Sequence, residues 1–290
     1  MRVVAAARRR AKRRAVTAPE LSVVIPVYNE EENLSILAAE VQGALQAIGL
    51  PYEVIFVDDG STDGGPAILR RLAREDPAVR IVRQRRNSGQ SAALAAGFRF
   101  ARGGIVVTLD ADLQNDPADI PRLLERLDAY DVVCGVRVNR QDTWVRQVSS
   151  RIANGVRNRV TRDAVTDVGC TLRACRAEYL RRLPMFTGMH RFLPTLLKME
   201  GARVTEVPVH HRPRLHGQPK YTIRNRIWRA LADLFAVRWM QKRWLDRRLS
   251  EEVYAWNPTP SGSSSDSSAK ASSSAVSSSN GSPPSGAGRA

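Results

Sequence analysis

The sequence predicts an α/β protein with a mostly parallel, Rossmann-like sheet that is covered by helices on both faces. Short β-branched runs alternate with helical patterns between residues 21 and 138. These runs are apolar almost throughout, which is typical of strands buried on both faces of a sheet. Three of them end in polar clusters, at residues 28–31, 58–61 and 110–112. Because ligands bind at the carboxyl ends of strands in such sheets, the clusters indicate a binding site.

Each strand and helix is predicted from its own run of residues. The strands are predicted where β-branched and aliphatic residues are concentrated, at residues 21–27, 53–57, 79–82, 105–109 and 132–138. The helices are predicted where helical patterns lie between these strands, at residues 31–48, 66–74 and 88–101. Strand and helix therefore alternate in the order that parallel strands joined by crossovers require.

The net charge of the 290-residue chain, +16, is unevenly placed. Residues 1–14 carry +7, residues 15–136 carry −7, residues 137–248 carry +17, and the remainder carries −1. An acidic first half and a basic second half indicate a metal site in the one and an anionic partner for the other. That partner is phosphate, lipid headgroups or nucleic acid.

Four segments are predicted along the chain. Residues 1–19 form a basic tail, expected either to be disordered or to tether the protein to anionic lipid. Residues 20–221 form the folded domain, and residues 222–256 form a basic amphipathic helical region. Residues 257–290, rich in Ser, Gly, Ala and Pro, are expected to be disordered. No run of 18 apolar residues occurs, so no transmembrane helix is expected.

The three cysteines are Cys134, Cys170 and Cys175, and they form no Cys-x-x-Cys pair. An odd number without such a pair argues against a disulfide framework. We therefore expect buried, reduced thiols in a cytoplasmic protein. Metal ligation by Cys170 and Cys175 is the alternative.

Two carboxylates and an amide follow the strand predicted at residues 105–109. Asp110, Asp112 and Gln114 are alternate residues, and alternate side chains of an extended segment point the same way. Their oxygens can therefore converge, and hard oxygen ligands suit Mg²⁺ or Mn²⁺ bound with substrate phosphates. Asp-x-Asp is common in loops, so its position directly after a buried strand is what indicates a metal site.

A second acidic pair, Asp58 and Asp59, follows the second predicted strand. Two adjacent carboxylates at a strand end can accept hydrogen bonds from a base and from a ribose hydroxyl. The alternative is a helix N-cap and turn, which residues 61–63 can also supply. Both roles can coexist. Pro26 and Tyr28 would form a floor under a nucleotide, with Tyr28 offering a flat apolar face.

These motifs resemble those of a known family. Residues 21–34, 57–63 and 87–93 look like family 2 glycosyltransferases of the GT-A fold, which identifies residues 20–221 as a GT-A glycosyltransferase domain. Residues 110–117 resemble, more narrowly, the dolichyl-phosphate mannose synthase and undecaprenyl-phosphate glycosyltransferase branch. The resemblance implies metal-dependent, inverting transfer of a hexose from GDP-mannose or a UDP-hexose to a polyprenyl phosphate.

The resemblance also implies roles for individual residues. The donor nucleotide-sugar would be bound by Pro26, Tyr28, Glu30, Val57, Asp59, Asp110, Ala111, Arg137 and Lys220. The metal, Mg²⁺ or Mn²⁺, would be held by Asp110, Asp112 and Gln114. The acceptor phosphate would be bound by Arg137, Arg146, Ser150 and Arg214. The residues expected to carry catalysis are Asp112, Arg137 and Lys220.

Two features of the basic half refine this resemblance. Residues 214–221 match an Arg-x-x-Gly-x-Ser-Lys loop that closes over the phosphates in related enzymes, although Pro219 replaces the usual serine. Asp167 lies where related transferases place a catalytic base. A phosphate monoester is already charged at neutral pH and needs no base. Asp167 is therefore expected to orient an arginine or sugar hydroxyls, or to cap a turn.

The basic C-terminal region carries an apolar stripe, formed by Ile223, Ile227, Leu231, Phe235 and Trp239 with Trp228 and Leu234 beside it. A basic helix with such a face can lie in the interface of an anionic membrane. The alternative is packing on the domain or on a partner, either a membrane-anchoring subunit or a second copy of the chain. With a lipid acceptor, we expect peripheral association with the cytoplasmic face of the membrane.

Other classes of protein explain fewer of these residues. A basic nucleic-acid-binding protein would leave the carboxylates at the strand ends unexplained, so no nucleic-acid partner is expected. A dinucleotide oxidoreductase would require a Gly-x-Gly-x-x-Gly turn directly after the first strand, where this chain has Tyr28-Asn29-Glu30-Glu31. Within the enzyme class, the alternative is transfer to a saccharide or protein hydroxyl.

Overall fold

The computed structural model of the chain describes residues 18–138, 154–213 and 224–245, the last range with side chains from residue 230 onward. All of these belong to one compact unit that ends at Arg247. The two predicted tails lie outside the described residues, apart from the last two residues of the first. So do four predicted site residues, namely Arg146, Ser150, Arg214 and Lys220.

Seven strands and eight helices are found in the described part of the chain. The strands are β1 (Leu21–Val27), β2 (Tyr52–Asp58), β3 (Val79–Arg83), β4 (Ile105–Thr108), β5 (Val132–Arg137), β6 (Arg173–Arg176) and β7 (Val204–Val209). The helices are α1 (Glu31–Ile48), α2 (Gly65–Glu75), α3 (Gln90–Phe100), α4 (Ile120–Leu124), α5 (described over 154–161), α6 (Ala177–Leu180), α7 (Leu193–Met199) and α8 (Arg224–Lys242). Every predicted strand and helix up to residue 138 is present, with ends that differ by at most two residues.

The strands form one sheet in the order β3-β2-β1-β4-β6-β5-β7. Every neighbouring pair is parallel except the two pairs made by β6, which runs antiparallel to β4 and to β5. Six strands therefore end at the same edge of the sheet, called the carboxyl edge below. The chain that leads into β6 also lies there, because β6 runs the opposite way. The prediction of a mostly parallel sheet is confirmed.

Two layers of buried side chains lie on the two faces of the sheet. On one face, alternate residues of β1, such as Val23 and Ile25, pack with the apolar stripe of α1. On the other face, Val24 packs against α3, within a second cluster of buried residues that also includes residues of α7. A Cβ at Gly97 would come within 2.2 Å of Val24 Cγ1, so the glycine lets α3 lie directly against β1. Helices therefore cover both faces, as the apolar strands predicted.

Helix α8 presents two different faces. Leu234 and Val237 are 5% and 0% exposed and belong to the core beside α7. Phe235 and Trp239 are 64% and 61% exposed. Within the described part of the predicted stripe, Leu234 packs on the domain whereas the two aromatic residues face outward. Ile223 and the side chains of Ile227 and Trp228 lie outside the described residues. None of the helices in the described ranges is both long and apolar enough to cross a bilayer.

The three cysteines are buried and carry free thiols, as predicted. Burial raises the pKa of Cys134 to about 12 and that of Cys170 to about 11, and it raises the pKa of Cys175 further still. A thiol with so high a pKa stays protonated near neutral pH and is a poor metal ligand. Packing, rather than metal ligation, is the role that this environment supports.

Candidate active site

Asp59 organises the first part of the site, at the carboxyl end of β2. Its two carboxylate oxygens accept hydrogen bonds from the backbone N–H groups of Ser88 and Gly89, each at 2.8 Å. Gly89 directly precedes α3, so the carboxylate fixes the turn at which that helix begins. Each oxygen of an ionised carboxylate has a further lone pair, so Asp59 remains able to accept from a bound nucleotide.

Asp58 shapes the neighbouring turn. Its Oδ1 accepts the backbone N–H of Ser61 at 2.8 Å, and its Oδ2 lies 3.4 Å from Arg83 Nε. Ser61 Oγ in turn accepts the N–H of Asn29 at 3.1 Å, which ties this turn to the chain leaving β1. For Asp58, the turn-forming role is therefore the one that the structure shows.

The predicted donor residues of β1 and β2 meet at the same place. Pro26 and Val57 are direct partners across the β1–β2 pair. Tyr28 and Glu30 follow β1 and are half-buried. The side chain of Val57 is fully buried in the core, so only its backbone remains for donor contacts.

Asp110 and Asp112 lie where the chain leaves β4, beside β1. The segment is not extended as expected from the alternation of residues. Residues 111–113 form a turn, and Leu113 is buried with a left-handed φ of 61°. The turn closes when the N–H of Gln114 donates to Asp112 Oδ1 at 3.2 Å. A left-handed leucine is costly, so this turn is held by its surroundings.

The electrostatics of this pair fit a cation. Burial raises the pKa of Asp110 to about 6, and the charge of Asp112 contributes to this rise. Two carboxylates forced together in this way are stabilised by a divalent ion bound between them. Among the described residues, no cluster of three His, Cys, Asp or Glu side chains is found. A divalent ion held by this pair would need further ligands from outside it, such as substrate oxygens.

Two contacts of Asp110 were missed in the sequence. Gln90, the first residue of α3, donates from Nε2 to Asp110 Oδ1 at 2.8 Å. Thr171 also hydrogen-bonds Asp110, and both contacts oppose the rise of its pKa. Gln90 lies within the recognised motif at residues 87–93, but its partner is twenty residues away. Nothing local marks Thr171, since it reaches Asp110 only through the pairing of β4 with β6.

Arg137 and Asp167 form the basic side of the site, at the carboxyl end of β5. Arg137 Nε and Nη2 donate to the two oxygens of Asp167 at 2.7 and 2.8 Å, and the Arg137 N–H donates to Oδ2 at 3.2 Å. Both side chains are mostly buried, with exposures of 16% and 6%. This bidentate pair fixes the plane of the guanidinium. Of the roles expected for Asp167, it matches the orientation of an arginine.

A buried arginine links the two sides. Arg173, only 2% exposed, donates to the carbonyl oxygens of Val168 at 2.9 Å and His190 at 3.2 Å. Its positive charge also opposes the rise in the pKa of Asp110. Ser91 Oγ lies 2.7 Å from His190 Nδ1, so the same network reaches the first turn of α3. The acidic and basic sides are thus joined by hydrogen bonds through the middle of the carboxyl edge.

Comparison with known proteins decides the family. Residues 22–183, more than half of the chain, match the sequence model of glycosyl transferase family 2. The chain belongs to this family. The family 2 prediction made from the motifs at residues 21–34, 57–63 and 87–93 is confirmed. The narrower resemblance at residues 110–117 agrees with the curated relatives described next.

Curated relatives narrow the comparison within family 2. The chain is 44% identical over 204 residues to the undecaprenyl-phosphate 4-deoxy-4-formamido-L-arabinose transferase of Edwardsiella ictaluri, covering 69% of the chain and 62% of the relative. It is 43% identical over 206 residues to the enzyme of the same name from an Enterobacter species, covering 70% of the chain and 63% of the relative. The matched part therefore spans less than two thirds of these relatives.

Solved structures support the fold. Glucosyl-3-phosphoglycerate synthase from Mycobacterium tuberculosis, solved with Mn²⁺, UDP and glucosyl-3-phosphoglycerate, matches with a TM-score of 0.56 at 20% identity. The match covers 79% of this chain and 82% of that one. The same enzyme with Mg²⁺ and UDP matches with a TM-score of 0.59 at 19% identity, over 79% of this chain and 81% of that one. The GT-A prediction for this family 2 chain is confirmed.

Proposed function

We propose that this family 2 chain transfers a sugar from a nucleotide-diphospho-sugar to a polyprenyl phosphate, using Mg²⁺ or Mn²⁺. The observation that carries the proposal is the pairing, at one edge of the sheet, of the Asp110–Asp112 carboxylates with the oriented guanidinium of Arg137. Such a site can hold a metal-bound diphosphate on one side and an anionic acceptor on the other. The names of the curated relatives, which specify undecaprenyl phosphate, support the acceptor class.

The donor would lie over the ends of β1, β2 and β4. Asp59 and Glu30 would accept hydrogen bonds from the nucleoside, above the floor made by Pro26 and Tyr28, with backbone contacts from Val57 and Ala111. Asp110, Asp112 and Gln114 would hold the metal on the diphosphate. When bound, the metal neutralises the charge that develops on the departing nucleoside diphosphate.

The chain's own residues would position the acceptor. Asp167 holds the Arg137 guanidinium in one plane, and Arg137 would then bind the acceptor phosphate together with Arg146, Ser150 and Arg214. Lys220 would bind the donor. A phosphate oxygen attacks the anomeric carbon in line as the bond to the diphosphate breaks, which inverts the anomeric configuration. The phosphate monoester is already ionised, so no side chain has to take a proton. Catalysis then rests on positioning and on charge stabilisation.

This geometry also separates the two acceptor classes. Transfer to a saccharide or protein hydroxyl needs a base that removes the hydroxyl proton. Asp167, which occupies the position of such a base in related transferases, accepts three hydrogen bonds from Arg137. Both oxygens of this carboxylate are therefore engaged by the guanidinium and the N–H of Arg137. A phosphate acceptor therefore fits the site better than a hydroxyl acceptor.

Residues of α8 would hold the enzyme at the membrane that carries its acceptor. Phe235 and Trp239 face outward one helical turn apart, and Arg243 lies 5.6 Å from the Trp239 ring centroid. Exposed aromatics among cations are suited to the interface of an anionic bilayer. We propose that the enzyme lies in the cytoplasm, on the inner face of the membrane. The alternative partners for the exposed face of α8 are a membrane-anchoring subunit and a second copy of the chain.

The test is a donor screen with a short-chain polyprenyl phosphate and Mg²⁺ or Mn²⁺, read by mass spectrometry of the lipid. The panel contains GDP-mannose, UDP-hexoses and a nucleotide-linked 4-deoxy-4-formamido-L-arabinose. One donor should yield a glycosylated lipid, and Asp112→Asn should abolish the product because one metal ligand is lost. Saccharide and peptide acceptors form a second arm. Product there, with none on the lipid, would overturn the acceptor assignment.

A further inference from the structure

Two side chains from different parts of the fold hold the carboxylate of Asp110. The amide of Gln90, the first residue of α3, donates from Nε2 to Asp110 Oδ1 at 2.8 Å. The hydroxyl of Thr171, shortly before β6, forms a second hydrogen bond with the same carboxylate. An ionised carboxylate can only accept hydrogen bonds, so both side chains act as donors. Together they limit the directions in which this carboxylate can point.

The backbone around Gln90 is itself fixed on both sides. The N–H groups of residues 88 and 89, directly before it, donate to the two oxygens of Asp59, each at 2.8 Å. The hydroxyl of Ser91, directly after it, accepts the N–H of Gly188 at 3.0 Å. Because the neighbours of Gln90 are held in this way, its amide reaches Asp110 from a backbone that has little room to move.

Thr171 is fixed in the same manner. Its carbonyl oxygen accepts the hydroxyl of Thr108, on β4, at 2.6 Å. Its own hydroxyl oxygen accepts Nδ2 of Asn115 at 2.9 Å, and Asn115 is buried. A hydroxyl has a single proton, and the hydrogen bond accepted from Asn115 leaves that proton for Asp110. The Thr171 hydroxyl is therefore directed at the carboxylate by its own contacts.

These contacts matter because the two carboxylates of the proposed metal site repel each other. The charge of Asp112 disfavours the ionised form of Asp110. Without an ion, an unrestrained Asp110 side chain would turn away from this charge. Gln90 and Thr171 oppose that movement from outside the set of proposed metal ligands. Outer partners of this kind orient the ligands of protein metal sites and raise the affinity for the metal.

We propose that Gln90 and Thr171 are positioning residues for the metal-binding carboxylate of Asp110. They hold this carboxylate in one orientation before an ion binds, so less conformational freedom is lost on binding. The inference rests on the metal assignment of the proposed function, and it adds two residues that touch a ligand rather than the ion. Their loss is expected to weaken metal binding without unfolding the protein.

The test compares Gln90→Met and Thr171→Val with a matched control, Gln42→Met. Gln42, on α1, also donates from Nε2 to an aspartate, Asp76 Oδ2, at 3.1 Å. Asp76 precedes β3, so this contact lies toward the opposite edge of the sheet from the site. Each methionine keeps the length of the glutamine side chain and removes its N–H donors. Mn²⁺ is titrated into the metal-free, full-length protein, and electron paramagnetic resonance measures the free ion.

Gln90→Met should raise the Kd for Mn²⁺ about ten- to a hundredfold, the range typical for the loss of an outer partner of a metal ligand. Thr171→Val should change the Kd in the same direction, and Gln42→Met should leave it at the wild-type value. Melting in EDTA separates this effect from a general loss of stability. Both glutamine variants lose one hydrogen bond to an aspartate, so their melting temperatures should fall by similar amounts.

Wild-type affinity for Mn²⁺ in Gln90→Met would overturn the positioning role, even if Thr171→Val failed to fold. Equal weakening by Gln42→Met would also overturn it, because the effect would then be one of general stability. If the wild-type protein itself binds no Mn²⁺, the metal assignment of the proposed function fails, and the role of Gln90 and Thr171 fails with it. Mn²⁺ binding that the variants leave unchanged removes only the positioning role.

Discussion

The carboxyl group of Asp110 shows how far a single residue of this site is from its ordinary chemistry. Its pKa is 3.8 in the unfolded chain and about 6 in the folded protein, chiefly because of burial and secondarily because of Asp112. The folded state therefore holds this proton more tightly than the unfolded state does. Stability from this group is full below the unfolded pKa and is lost as the pH rises through about 6. The loss is on the order of 3 kcal/mol at most.

Asp110→Asn should remove this pH-dependent loss of stability, because an amide cannot ionise. In EDTA, the variant should melt at a higher temperature than the wild-type protein near pH 8; the difference should be roughly half as large at about pH 5 and should close only below pH 3.8. Added Mn²⁺ should raise the melting temperature of the wild-type protein and have little effect on the variant. Calorimetry at the two pH values measures both effects.

Asp128→Asn is the matched control for that experiment, since Asp128 is an exposed carboxylate on the turn that leads into β5. It should change neither the pH dependence nor the response to Mn²⁺. A stabilisation by Asp110→Asn that is equally large at both pH values would contradict the role assigned to ionisation.

Helix α8 packs one face in the core and exposes another face to solvent. Leu234 and Val237 anchor it in the core, while Phe235 and Trp239 remain exposed on the outside. Large aromatic side chains that face solvent together are unusual on a soluble surface and indicate contact with another phase or molecule. The basic residues Lys242 and Arg243, both exposed at the end of the helix, favour an anionic lipid surface.

Replacing Phe235 and Trp239 together by serine should weaken binding to vesicles that contain anionic lipid. Burial of each aromatic side chain contributes about 1.5–3 kcal/mol, so the loss should be at least tenfold. Sedimentation with vesicles measures it. Phe100→Ser is the matched control, because Phe100 is also exposed and lies 5.7 Å from the Arg99 guanidinium. If the control weakened vesicle binding equally, α8 would not be the docking element. If the double variant instead changed the oligomeric state, the exposed face of α8 would be assigned to contact with a second copy of the chain.

The elements also show which parts of the fold a sequence reveals. β1, β2 and β4 were predictable because each is a continuous apolar run that ends in a polar cluster. β6 was not predicted, since it is four residues long, begins and ends with arginine, and is stabilised by pairing with β4 and β5. Its burial depends on strands 40 to 70 residues earlier in the chain. Local patterns therefore predicted the first half of the sheet better than the second.

The residues of the candidate site likewise divide into those that local sequence patterns predict and those that they do not. Asp59, Asp110 and Asp112 could be predicted because they follow recognisable strands within known motifs. Thr171 could not, because it reaches Asp110 only through strands that pair in the folded sheet. Even the predicted metal motif reaches its geometry differently from expectation, through a turn at Leu113 with a left-handed φ. Residue identity was thus easier to predict than the backbone path that places the residue.

For the whole molecule, the division of charge follows the division of the site. Residues 15–136 carry −7 and contain the Asp110–Asp112 pair, whereas residues 137–248 carry +17 and begin with Arg137. Under the proposed function, a field of this kind would draw the anionic acceptor toward the basic half, while short-range contacts at the acidic strand ends would hold the metal-bound donor. Long-range attraction is screened by salt much more strongly than contacts between buried groups.

The KM for a short, water-soluble polyprenyl phosphate should therefore rise several-fold between about 0.1 M and about 1 M NaCl, over which the Debye length falls from about 10 Å to about 3 Å. The KM for the nucleotide-sugar, measured with saturating Mn²⁺ in the same series, should rise less, because its diphosphate is neutralised within the site. Steady-state kinetics with either substrate varied give both values, and a soluble acceptor keeps vesicle binding out of the measurement. Equal salt dependence for the two substrates would mean that the basic half does not attract the acceptor. The charge of residues 137–248 would then have to serve membrane contact through α8 instead.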